Sequence, residues 1–294
     1  MDRRKFLKTL ALTTAAATFP FARPVEQKPN IIMILVDDLG WTDLGCFGSD
    51  LYETPNIDKV AKQGVRFSDA YAAFTVCSPT RASLLTGKYP ARLHLTDWIY
   101  GHKKPNAKLL HPDWTTCLPH DEITIAELLK QAGYKTIHIG KWHLGEKSHY
   151  PKTQGFDINI GGYEKGQPPA YFYPYEGADW NPEIPTLEGG REDEFLTQRE
   201  AREACEFMEA HQDQPFFINL WHYAVHTPIQ AEQNKIDKYR GKIDIGMKHT
   251  NPKYAGLVES VDDAFGTIWQ KLKELKLDKN TIILFTGDNG GLTL

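Results

Sequence analysis

Four short apolar runs, each stopping at a cluster of chemically capable polar residues, constrain the fold of this chain more than any other feature. Ile31 to Val36 ends in Asp37-Asp38, and Thr136 to Ile139 ends in Gly140-Lys141-Trp142-His143. Phe216 to Leu220 leads to His222 and His226, and Ile282 to Phe285 ends in Gly287-Asp288-Asn289. Runs of this length and branching read as buried strands, and helical periods lie between them. That alternation predicts an α/β protein with a mostly parallel central sheet flanked by helices. Ligands of such sheets sit beyond the carboxyl ends of the strands, so the four clusters are expected to converge on one rim.

The helices carry their own signals. Thr124-x-x-Glu127 is a capping box, opening a helix through Leu128, Leu129 and Ala132 that Gly133 ends, directly before the strand bearing Lys141 and His143. Asn56 to Gln63 reads as a short helix closed by Gly64. Glu194 to His211 places Ala201, Ala204, Cys205 and Met208 on one face, which assigns Cys205 to the core. Tyr254, Leu257, Val258, Val261, Phe265, Ile268, Leu272 and Leu275 recur at helical spacing and predict a long amphipathic helix on the sheet. Between Gly161 and Gly190 the texture changes to glycine, proline and aromatics. This reads as a surface excursion whose rings either pin the loop down, the more expected role, or offer faces to sugars.

Arg3-Arg4-Lys5-Phe6-Leu7-Lys8 followed by the mildly apolar stretch Thr9 to Phe19 resembles a twin-arginine export signal over residues 1–25, which directs the chain to a bacterial periplasm or beyond. That stretch is too short to span a membrane, and no other segment is long and apolar enough. Residues 26–294 then suffice for one large catalytic domain. The net charge of −4, with acids and bases interspersed, leaves no basic footprint for nucleic acid. With Cys77 reserved for chemistry, Cys46, Cys117 and Cys205 allow at most one disulfide.

Cys77-Ser78-Pro79-Thr80-Arg81 sets a thiol at a helix entrance and a guanidinium one turn later. Pro79 suits a first helical turn, free amides and the helix dipole favour an oxyanion there, and Arg81 comes round to the same face. A buried cysteine beside an ordinary helix is the plain alternative. Asp37, Asp38, Asp288 and Asn289 offer only oxygen ligands. That set suits a hard divalent cation, calcium better than magnesium, and disfavours zinc.

Together these residues resemble the formylglycine-dependent type I sulfatases, an arylsulfatase-like family of the alkaline phosphatase superfamily. The likeness rests on Val36-Asp37-Asp38-Leu39-Gly40, Cys77-Ser78-Pro79-Thr80-Arg81 with Leu84-Leu85-Thr86-Gly87, Gly140-Lys141-Trp142-His143-Leu144-Gly145, His226-Thr227-Pro228 and Gly287-Asp288-Asn289-Gly290. It implies that a formylglycine-generating or sulfatase-maturating enzyme oxidises Cys77 to formylglycine, whose hydrate is the nucleophile. It further implies one calcium ion held by Asp37, Asp38, Asp288, Asn289 and the modified Cys77. Arg81 and Lys141 would neutralise the sulfate oxygens, His226 would serve the leaving oxygen in preference to its neighbour His222, and His143 would take the second diol proton. A sulfated glycan or aryl sulfate is the implied substrate. Phosphonate or phosphate monoester hydrolysis and a non-catalytic anion- or glycan-binding remnant are the rival readings. The second rival arises because relatives continue past the position of Leu294 with a further lysine and a C-terminal subdomain, which is expected to be missing here.

Overall fold

The computed structural model describes residues 28–101, 106–110 and 112–291. The export signal expected over residues 1–25 lies outside them. Five strands form one parallel sheet: β1 (Asn30–Val36), β2 (Lys135–Gly140), β3 (Ile158–Ile160), β4 (Phe216–His222) and β5 (Thr281–Gly287), in the order β3-β2-β4-β1-β5. Among the described residues six α-helices accompany them: α1 (Pro55–Ala61), α2 (Cys77–Thr86), α3 (Ile125–Gln131), α4 (Leu196–Ala210), α5 (Gln233–Arg240) and α6 (Pro252–Glu274).

Because side chains alternate along a strand, the sheet has two apolar faces. Ile32, Ile34 and Val36 of β1 join Ile137, Ile139, Ile218 and Leu220 under α4 and α6, against Ala201, Ala204, Met208, Leu257, Val261 and Phe265. Met33, Leu35, Phe217 and Trp221 face the other way and pack on Ala82 and Leu85 of α2 and Ala126 of α3. Each of these buried aliphatic side chains contributes about 1.5–3 kcal/mol of transfer free energy. Cys205 lies in the first core as its helix face predicts, and all four cysteines are free.

The capping box forms as read: Thr124 accepts from the Glu127 amide and Glu127 accepts from the Thr124 amide. Two elements escaped the pattern reading. Strand β3 is only three residues long, on the sheet edge, and α5 is largely charged, burying Lys235, Ile236 and Tyr239. At the opposite edge β5 alternates half-buried and exposed residues, with Ile282 and Leu284 48% and 44% exposed. Among the described residues no helix is long and apolar enough to cross a membrane.

Candidate active site

Parallel register sets the site. Val36 lies beside His222 on one side and Gly287 on the other, and Gly140 lies beside Trp221, so the chain leaves four neighbouring strands at one level. Backbone hydrogen bonds stitch the departing segments together. The Lys141 amide donates to Trp221 O (2.8 Å), the Asp37 amide to Ala224 O (2.8 Å), and the Val225 amide to Asp37 O (2.6 Å). Gly140 turns at φ +89°, and a Cβ there would lie 2.1 Å from Trp221 O, so only glycine fits.

Asp37, Asp38 and Asp288 are buried, and one carboxylate oxygen from each lies within 4.8 Å of the other two. The Asp38 amide donates to Asp288 Oδ1 (3.1 Å), and Asn289 Nδ2 donates to Asp38 Oδ1 (2.8 Å). Two fully buried cations answer them. Arg81 donates through Nε and Nη2 to Asp288 Oδ2 (3.2 and 2.9 Å), through Nη2 to Asp37 Oδ1 (3.1 Å) and through Nη1 to Lys141 O (2.9 Å). Lys141 Nζ donates to Asp37 Oδ2 at 2.6 Å. Burial works to raise the Asp37 pKa, but Lys141 and Arg81 outweigh it and hold the group below the usual carboxylate range. Asp288, raised by burial and by Asp37's charge, sits at about 6.

Arg81 and Lys141 both pair with the buried carboxylates of the rim. Three buried carboxylates demand neutralisation, and these two side chains supply it. One negative charge is left over, and a divalent cation would turn it into one positive charge, the counterpart of a sulfate monoester. The donor set fits such an ion: three carboxylates and Asn289 Oδ1, which is buried without a hydrogen-bond partner. The Cys77 thiol does not belong to that close set.

Cys77 begins α2, after an extended Val76, and is 8% exposed. Burial raises its thiol pKa, with Lys141 the main opposing influence, so the unmodified side chain is a neutral thiol and a poor nucleophile. Beside it Ser78 Oγ donates to His143 O (2.9 Å) and accepts from the Ile99 amide (3.1 Å). His143 turns at φ +56°, and Gly166 lies so close that a Cβ there would be 2.5 Å from the imidazole Cε1. Its Nδ1 is buried and unpartnered, and burial, then Lys141 and Arg81, push its pKa well down, so the ring is neutral. His226 is more open, with Nε2 3.6 Å from Asp38 Oδ2 and Nδ1 beside Thr227. His222 is the packed histidine: its Nδ1 is 2.6 Å from Glu200 Oε2, and both residues are buried.

Several supporting residues were invisible to pattern reading. Glu200 of α4 reads as one more charge on a charged helix, yet burial raises its pKa and its second oxygen has no partner. The Trp221 ring lies 5.1 Å from the Arg81 guanidinium carbon, and Tyr254 Oη donates to Asp43 Oδ2 (2.6 Å) close to Asp38 O (3.2 Å). The aromatic excursion chiefly pins: Tyr163, Tyr171 and Tyr175 are buried. Tyr171 Oη lies 2.7 Å from Tyr223 O and 2.9 Å from His226 O, fixing the turn that presents His226.

A parallel sheet whose rim holds a buried carboxylate–guanidinium cluster beside a helix N-terminus defines an α/β protein equipped for oxyanion chemistry. The sulfatase family model matches residues 29–293, and the chain belongs to that family, within the alkaline phosphatase superfamily. It is 34% identical over 288 residues to N-acetylgalactosamine-6-sulfatase of Canis lupus familiaris, covering 92% of this chain and 51% of the relative. It is 31% identical to N-acetylgalactosamine-6-O-sulfatase of Bacteroides thetaiotaomicron, covering 90% of this chain and 59% of the relative. The solved structure of Ps i-CgsB in complex with k-i-k-neocarrahexaose superposes with a TM-score of 0.75 at 32% identity, over 90% of this chain and 59% of that one. The chain thus spans about half the length of the first curated relatives it matches.

Proposed function

We propose that the chain hydrolyses sulfate monoesters of glycans, using a formylglycine made from Cys77 by a separate maturation enzyme and a calcium ion held by Asp37, Asp38, Asp288 and Asn289. The observation that carries this reading is the convergence of that all-oxygen set with Arg81 and Lys141 beside the start of α2, where Cys77 sits. Relatives named for N-acetylgalactosamine 6-sulfate favour a sulfated amino sugar as substrate. Export to the periplasm, read from the leader, suits a polymer-degrading role.

When present, the ion supplies Lewis acidity and the modified residue supplies the attacking hydroxyl. The chain's own residues do the rest. Arg81 and Lys141 hold the carboxylates in place and keep positive charge within reach of the sulfate. His226, the most accessible of the three rim histidines, faces Asp38 and is the donor for the leaving oxygen. His143, held neutral, accepts a proton at its unpartnered Nδ1, and an incoming anion counteracts the cations that depress its basicity.

The test is co-expression with a maturation enzyme, peptide mass spectrometry across Cys77, and parallel turnover of an aryl sulfate and an aryl phosphate. The expected result is an aldehyde at position 77 and faster sulfate than phosphate release, lost in Cys77→Ala. An unchanged thiol despite competent machinery overturns the reading, and a preference for phosphate replaces it with phosphoryl chemistry.

A further inference from the structure

Asp38, one of the residues proposed to hold calcium, sits in a backbone conformation that residues with a side chain rarely adopt. Its φ is +56°, in the left-handed region, which such a residue keeps only where its surroundings enforce it. Two of the enforcing contacts lie within the proposed metal set: the Asp38 amide on Asp288 Oδ1, and Asn289 Nδ2 on Asp38 Oδ1. The others come from Asp43 and Tyr254, to which the proposed chemistry gives no part.

Asp43 Oδ2 accepts from the Gly40 amide (2.8 Å) and from Tyr254 Oη (2.6 Å). A Cβ at position 40 would lie 2.8 Å from that same oxygen, so glycine there admits the carboxylate. Tyr254 Oη is in turn 3.2 Å from the Asp38 carbonyl oxygen. One carboxylate and one phenol thus grip the turn after β1 at two backbone points, the Gly40 N–H and the Asp38 C=O.

The grip is itself fixed. Tyr254 belongs to the first turn of α6, where the cap residue Asn251 accepts from its amide (3.1 Å), and its ring packs on Tyr52 with centroids 5.4 Å apart. His249 joins Asp43 to Asp50, with Nε2 3.5 Å from Asp43 Oδ1 and Nδ1 2.6 Å from Asp50 Oδ1. Asp43 is buried, yet it is not part of the close carboxylate set.

Resting on the calcium reading, we infer that Asp43 and Tyr254 are positioning residues of the cation site, fixing the turn after β1 so that the Asp38 carboxylate is presented to the ion. Their effect falls on cation affinity, because a carboxylate free to leave the binding geometry has to be reordered when the ion arrives.

Calorimetric titration of the full chain, its thiol unmodified, with calcium chloride reads this without turnover. Tyr254→Phe keeps the ring on Tyr52 and removes only the hydroxyl, and its calcium Kd is expected to rise about tenfold. Asp43→Ala should lose at least as much. Asp43→Asn still offers an oxygen to the Gly40 amide and the phenol, and should stay within about threefold of the parent. Urea midpoints measured in chelator report stability apart from the ion, and Tyr254→Phe is expected to leave them nearly unchanged. A midpoint that falls while the Kd holds within about twofold marks a purely structural contact and overturns the inference. Equal losses in Asp43→Asn and Asp43→Ala overturn it as well, since charge and not grip would then set the affinity. Tyr254→Phe alone decides if Asp43→Ala does not fold. Calcium binding that Asp288→Asn abolishes and Tyr254→Phe leaves unaltered removes the positioning role and keeps the calcium reading, whereas a parent that binds no calcium removes both.

Discussion

Arg81 shows how much one buried side chain carries. It bonds two carboxylates and a carbonyl while stacking over Trp221, and Asp288 is 207 residues away along the chain. Arg81→Ala would leave Asp37 and Asp288 as poorly compensated buried charges and is expected to lower stability by about 3–5 kcal/mol, read from urea midpoints. His138 gives a pH signature. Buried on β2, it is held neutral with Nδ1 beside Asn219 Nδ2 (2.9 Å) and Nε2 beside Gly140 O (3.1 Å), and burial takes its pKa down to about 3. An unfolded histidine protonates near 6.5 and this one near 3, so the unfolded state binds the extra proton between them and stability falls as pH drops through that window. Unfolding curves at pH 7, 6 and 5 should show this loss, at up to about 1.4 kcal/mol per pH unit, reduced in His138→Phe. Asp37, Asp38, Lys141, His143, Asp288 and Asn289 were legible as candidates because their clusters follow apolar runs, and Cys77 and Arg81 because they open a helix. The partner that Arg81 takes was not, since nothing local to residue 81 encodes a carboxylate two hundred positions on, and Glu200 was hidden because burial of a helical charge depends on how the helix is rotated against the sheet.

The secondary elements follow local physics where their signals are long or chemically specific. Capping box, alternating strands and the long helical period of α6 all formed, within a residue or two of the boundaries read from sequence. Strand β3 did not announce itself, because three residues are too few to show a period and pairing with β2 alone makes them a strand. Thr124 is the cap most worth testing. Besides capping α3, its hydroxyl lies 2.9 Å from Gln154 O in the interior, so Thr124→Ala is expected to cost about 1–2 kcal/mol in thermal or urea denaturation. Strand β5 carries the opposite property. Among the described residues no strand pairs on its outer side, and two aliphatics on it are half exposed, a template for pairing with another chain. Ile282→Lys/Leu284→Lys should lower concentration-dependent light scattering while leaving the far-ultraviolet circular dichroism unchanged.

At the scale of the whole molecule, the site exists only through topology. Hydrogen bonds between Asp38 and the Asp288–Asn289 pair join positions 250 and 251 residues apart, across the interior strand β1 and the edge strand β5. A divalent cation bound there favours the folded state by mass action. Calcium at a hundred times its Kd is expected to stabilise the protein by about 2.7 kcal/mol, seen as a raised Tm that a chelator reverses and Asp288→Asn abolishes. The strand order was not legible from sequence, since alternation fixes a parallel sheet without saying which strands are neighbours, but the shared rim was, because every arrangement of parallel strands puts their carboxyl ends together. The burial of Cys77 sets a timetable for the molecule's birth. Position 77 leaves the ribosome long before position 288, and in the folded protein the sulfur is enclosed, so the oxidising enzyme proposed to act on it has to meet a nascent or still-open polypeptide.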